Sequence, residues 1–189
     1  MNALTDREKW DIRKIAGDRD YYPSLPEHRK TAAVSTVAVL ACGHNLEYVP
    51  ETVINKEICR AALNSKNVDC TVLPHIPYPD VQKEGIQKFI SSGTPAFVVY
   101  SFADIRDAKT AREAVKADAY CLQLVPDKLL TAELCKMALQ SPNADKKVLD
   151  FISEKFRTPE IRKAAEAKFG NSREQKKPPP PQKRMGTGL

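Results

Sequence analysis

Apolar and small side chains come in short bursts separated by charged or proline-containing corners, and the bursts repeat. The stretch YVPETVINKEICRAAL at residues 48–63 returns as LVPDKLLTAELCKMAL at residues 124–139, with Val, Pro, Glu, Cys, Ala and Leu in the same places. Sliding that register along the chain places units at Leu25, Val49, Ile76, Ser101, Val125 and Ile152, spaced by 24, 27, 25, 24 and 27 residues. A near-constant period of this length marks units too small to bury an apolar face alone, which therefore stack on their neighbours. The pattern predicts an all-α fold, a right-handed-type α-solenoid of about six short helical repeats of 24–27 residues.

Within the units the signals agree. The seventh position carries a helix-starting residue in Thr31, Asn55, Asp107, Thr131 and Thr158, with Gln82 the exception. Their side-chain oxygens can accept from the unpaired amides of a first helical turn. An acid follows two positions later in Glu57, Glu84, Glu133 and Glu160, beside the positive end of the helix dipole, and Pro159 takes the one helical position that favours proline. Pairs four apart then define a buried face: Val34 with Ala38, Ile58 with Ala62, Leu134 with Ala138 and Ile161 with Ala165, widened by Ser35–Val39, Cys59–Leu63, Ile86–Ile90, Ala111–Val115 and Cys135–Leu139. In the last unit the second pair becomes Arg162 and Glu166, as expected where a terminal repeat meets water.

Between these helices lie the segments CGHNLEYV, VDCTVLPHI, TPAFVVYS, AYCLQLV and KKVLDFI, most of them read as a second short helix antiparallel to the first, with FVVYSF set apart by its β propensity. Pro26, Pro50, Pro77 and Pro126 stop one helix and aim the next. Thr5 and Glu8 form a capping box opening a first helix with Ile12, Ile15 and Ala16 inward and Trp10 elsewhere. The domain reading is a capping helix and lead-in over 1–24, the helical-repeat domain over 25–170, and a basic, proline-rich tail over 171–189 without apolar periodicity, expected to be disordered or polyproline.

The pattern NLEYVPETVINKEICRAAL resembles the repeat family called domain of unknown function 4116, which repeats an apolar-Val-Pro-Glu corner followed by a Glu-Leu-Cys-x-x-Ala helix. The match is close at Asn45–Leu63 and Gln123–Leu139, weaker at Leu25–Val39 and Ile152–Ala165, and poor from Pro77 to Val115. The resemblance implies a small helical-repeat fold and brings no catalytic motif with it.

Composition narrows the function classes. The five cysteines, Cys42, Cys59, Cys70, Cys121 and Cys135, are odd in number and lack a C-x-x-C pair, and the three histidines, His28, His44 and His75, are scattered, so neither a disulfide framework nor a metal site is expected. With seven glycines and no phosphate-cradling or nucleophile-elbow motif, the chain is read as a non-enzyme without cofactors. No apolar run reaches the roughly 18 to 20 residues of a membrane span, and MNALTDREKW lacks the order of a secretory signal, which points to the cytoplasm. Of the net charge of +6, +4 lies from Asn171 onward, leaving +2 for the body.

Two surfaces stand out. One column of the repeat reads Thr36, Arg60, Gln87, Arg112, Lys136 and Lys163, so Arg60, Arg112, Lys136 and Lys163 form a candidate basic stripe, unaccompanied by regular aromatic residues. In the tail, PPPPQK offers a P-x-x-P-x-basic ligand at Pro178, Pro181, Lys183 and Arg184, and Thr187-Gly188-Leu189 a carboxyl-terminal motif. The expected role is a protein-interaction module of unidentified partner, the alternative a nucleic-acid-binding accessory protein using column and tail together.

Overall fold

The computed structural model describes residues 3–18, 20–105 and 107–170, and every regular element among them is helical, with no strand. The α-helices are α1 (Asp6–Gly17), α2 (Tyr21–Ser24), α3 (Ala32–Ala41), α4 (Lys56–Leu63), α5 (Pro79–Ser91), α6 (Ala96–Phe102), α7 (Ala108–Ala117), α8 (Ala132–Gln140) and α9 (Pro159–Phe169). The tail, including Pro178, Pro181, Lys183 and Arg184, lies outside the described residues.

Helix starts follow the sequence where a short polar side chain was available. Thr31, Asn55, Asp107, Thr131 and Thr158 are the N-caps of α3, α4, α7, α8 and α9, each accepting from the amide three residues on. Thr5 and Glu8 make the predicted capping box of α1. The exception is α5, which begins at Pro79 rather than near Gln82. Proline's fixed φ favours the first helical position, and Gln82 is instead buried, its Nε2 donating to the Leu73 carbonyl at 3.0 Å.

The face predicted from four-residue pairs is the core. Val34, Ala38, Ile58, Cys59, Ala62, Leu63, Ala111, Val115, Leu134, Cys135, Ala138 and Leu139 are all buried, while Arg162 and Glu166 are exposed. On α1, Ile15 is buried and Ile12 half-buried, but Ala16 is exposed; the buried partner of Ile15 is Asp11, held by the Tyr21 hydroxyl at 2.7 Å and by Arg29. A carboxylate four residues from Ile15 is tolerated inside because two donors satisfy it.

Four of the five connecting segments are 3-10 rather than α: Gly43–Tyr48, Cys70–His75, Ala119–Leu124 and Lys146–Phe151. Six residues closed by a corner are too few to nucleate an α-helix, whereas i→i+3 bonds close a turn sooner. Asp69, Asp118 and Asp145 each start one of these turns by accepting from an amide two residues on. The β-prone AFVVYSF is the α-helix α6, in which Val99 and Tyr100 are buried; its packing on α5, α7 and two 3-10 segments overrides its propensity.

Successive main helices lie side by side, α1 on α3, α3 on α4, α4 on α5, α7 on α8 and α8 on α9. Lys56 near the start of α4 reaches Asp80 near the start of α5 at 2.7 Å, and Lys88 near the end of α5 donates to the Leu63 carbonyl that ends α4. The two helices therefore run in the same direction. A Ser-x-Asn-x-Asp turn, at Ser65-Asn67-Asp69 and again at Ser141-Asn143-Asp145, ties each exit to the unit before it: Asn67 Nδ2 donates to the Ala41 carbonyl, and Asn143 bonds the Ala119 amide and Asp118.

Candidate functional site

Three of the four candidate basic residues stand exposed and Arg60 half-exposed, yet their charges are unequally available. Arg60 forks Glu84, and its Nη2 lies 3.8 Å from Asp80. Arg112 Nη1 is 3.1 Å from Glu133, and Lys136 contributes to holding the Glu160 carboxyl below the usual range, behind the Thr158 hydroxyl and a backbone amide. All of these acids belong to the following unit; Glu84, Glu133 and Glu160 share one repeat column, which lies two beyond the N-caps Thr131 and Thr158 in the last two units, whereas Asp80 sits in the first turn of α5. The basic column thus interleaves with the acidic one, one rung's cation beside the next rung's carboxylate. Glu84 and Asp80 are both held below the ordinary carboxylate range, chiefly by the side-chain bonds from Arg60 and Lys56 respectively. Lys163, on α9, stands exposed at the far end of the column.

The ladder changes character between α5 and α7. α5 is 13 residues long, against 8 for α4 and 10 for α7, and α6 packs against both of its neighbours while α5 and α7 share little direct contact. Lys83 bridges them to Glu113 at 2.9 Å. A cleft of 640 Å³ opens there. Its floor is Ile76, Ile86, Ile90 and Tyr100, and its rim carries Asp80, Asp104, Asp107 and Glu113 against Lys83 and Lys109. The Tyr100 hydroxyl is pushed up to about 12, first by burial and then by the neighbouring Glu113 charge, so it stays a neutral phenol at physiological pH.

An apolar floor with a few polar groups converging on it is the usual makeup of a binding cleft. The sequence signal for it was an irregularity. Unit four lacks the Val-Pro corner, with Ser101-Phe102-Ala103 in its place, unit three lacks a capping residue at Gln82, and resemblance to the repeat pattern is poorest from Pro77 to Val115. The departure from the repeat is where the cleft lies.

The cysteines are buried, and burial raises the thiols of Cys59 to about 11 and Cys121 to about 12, with Cys70 and Cys135 also raised. A thiol at those values is almost wholly protonated at neutral pH and a poor nucleophile. Among the described residues no three His, Cys, Asp or Glu side chains are grouped as a metal ion would require, and no helix is long and apolar enough to cross a membrane. No family model matches the chain, and neither a curated protein nor a solved structure matches it.

Proposed function

We propose that the chain is an α-solenoid of the repeat kind it resembles, acting as a non-catalytic protein-interaction module whose α5–α7 cleft receives an extended peptide segment of a partner. The observation that carries this reading is the coincidence of the interrupted repeat with a 640 Å³ cleft having an apolar floor and a charged rim. Apolar anchors seated in a pocket supply most of the energy of such an interface, and rim charges supply orientation. Rim acids are engaged within the fold, Asp80 by Lys56, Glu113 by Lys83 and Asp107 by the Thr110 amide and hydroxyl, so the apolar floor selects the segment through an apolar anchor. Use of the basic column for nucleic acid is less well supported, because Arg60 and Arg112 already face carboxylates of the next unit, and a phosphate would have to displace them.

The test is selection of peptides from a random library on the full chain. Enriched peptides should share an apolar anchor residue. Their binding should fall on Gln87→Trp, which fills the cleft from an exposed lining position, and persist in the Arg162→Ala, Glu166→Ala double variant. Absence of enrichment, or equal binding to the Gln87→Trp protein, would sink the proposal.

A further inference from the structure

The first helix carries a feature that the repeat does not explain. Trp10, the chain's single tryptophan, is 41% exposed on the outer side of α1. Three cations surround its ring: the Arg7 guanidinium at 4.8 Å from the centroid, the Lys14 ammonium at 5.4 Å and the Arg29 guanidinium at 5.8 Å, while Tyr21 meets it edge-on at 5.8 Å. Arg7 and Lys14 lie one on each side of Trp10 along the helix, seven positions apart and so about 10 Å along its axis.

The charges of α1 are divided unevenly between inside and outside. Asp11 is buried under Arg29 and the Tyr21 hydroxyl, Glu8 is bound by Thr5 and by the Thr31 hydroxyl at 2.7 Å, and Asp6 is paired with Lys9 at 3.0 Å. The acids of the helix are thus engaged by its own cap, by Lys9 or by the turn beneath it. Arg7, Arg13 and Lys14 are exposed, with the Arg7 guanidinium and the Lys14 ammonium lying over the Trp10 ring. A half-exposed aromatic ring capped by exposed cations suits a ligand that alternates flat rings with negative charge, a base replacing the cation–π contacts on the ring while its phosphates take up the displaced Arg7 and Lys14.

We infer that the Arg7–Trp10–Lys14 face of α1 binds single-stranded nucleic acid, with a base stacked on the Trp10 ring and the flanking phosphates on Arg7 and Lys14. Base stacking on an exposed aromatic, with arginine and lysine tracking the backbone, is the general chemistry of sequence-tolerant strand binding. The membrane alternative is less favoured. A helix lying in a bilayer surface needs a continuous apolar face, and α1 turns Ile12 and Ile15 toward the core instead. This site is separate from the α5–α7 cleft and does not depend on that reading.

The experiment follows the fluorescence of Trp10 while full-length protein is titrated with a ten-nucleotide single strand, a matching duplex, a free mononucleotide and vesicles containing phosphatidylserine. The single strand should quench Trp10 saturably, with the duplex and the mononucleotide much weaker, and binding should weaken with added salt. Arg7→Glu with Lys14→Glu keeps the reporter and should weaken binding at least about tenfold; Trp10→Ala, followed by anisotropy of a labelled strand, should lose about tenfold through lost stacking. Circular dichroism and the melting temperature of each variant verify the fold. Binding that leaves Trp10 unquenched, equal affinity in the Arg7→Glu, Lys14→Glu protein, or a Trp10 response to vesicles but not to the strand would each overturn the inference.

Discussion

Arg60 on α4 grips Glu84 on α5 with two bonds, Nε to Oε2 at 3.0 Å and Nη2 to Oε1 at 2.9 Å, across 24 residues of sequence. The pair belongs to an exposed ladder that continues through Lys56 to Asp80 and Arg112 to Glu133. Exposed pairs of this kind contribute weakly and are screened by salt. Arg60→Ala should therefore lower the urea midpoint slightly at low ionic strength, and the difference should vanish by about 1 M salt, where the Debye length is about 3 Å. Because the folded-state Glu84 carboxyl is depressed, its contribution is present above the unfolded-state glutamate value and is lost as pH falls through the lower folded value. Glu84→Gln should flatten the acid limb of a stability-versus-pH curve and leave the limb above neutrality unchanged.

Leu63 and Leu139 occupy the same position in units 76 residues apart, and both are buried. Leu63→Ala and Leu139→Ala should each destabilise by about 2 to 5 kcal/mol, the range for a buried leucine whose site collapses only partly. Arg162→Ala with Glu166→Ala, on the outer side of α9, should stay within about 0.5 kcal/mol. Chemical denaturation of the three proteins checks the difference; equal losses would contradict the core assignment.

Gly43 follows α3 at a close approach to the next unit. A Cβ there would lie 2.5 Å from Val68 Cγ2 and 2.7 Å from the Ala62 carbonyl oxygen, and the Gly43 amide donates to Asn67 O at 3.0 Å. Gly43→Ala should cost on the order of 1 to 3 kcal/mol, since a backbone atom cannot step aside. Gly85, inside α5, would meet only the ends of Leu63 and Leu73 at 2.9 and 2.8 Å, and alanine there gains helix propensity of about 1 kcal/mol. Thermal melts should rank Gly43→Ala as the more damaging change.

Cys59 and Cys121 are buried with thiols raised to about 11 and about 12. A disulfide reagent such as Ellman's should label the folded protein far more slowly than the denatured one, in which the thiols regain ordinary acidity near 8.5. Rapid stoichiometric labelling at neutral pH under native conditions would show that one of these helix faces opens.

The local decisions were carried by the sequence. Short polar side chains at Thr31, Asn55, Asp107, Thr131 and Thr158 set helix starts because a cap acts on amides within its own turn, and the four-residue pairs set the buried face because helical geometry alone aligns them. Where no such residue exists, at Gln82, the helix starts three residues earlier at Pro79, and packing holds AFVVYSF in a helix against its propensity. Tertiary structure decided what each column met. Both the basic column and the acidic one were legible, but their pairing as Arg60–Glu84 and Arg112–Glu133 depends on how far one rung is offset from the next, which no single unit encodes. The same holds for the α5–α7 cleft, a gap between elements that exists only once α6 has packed against both. It holds too for Trp10, which lies beside Arg29 and Tyr21 in a structure where both of those residues bond Asp11 on α1.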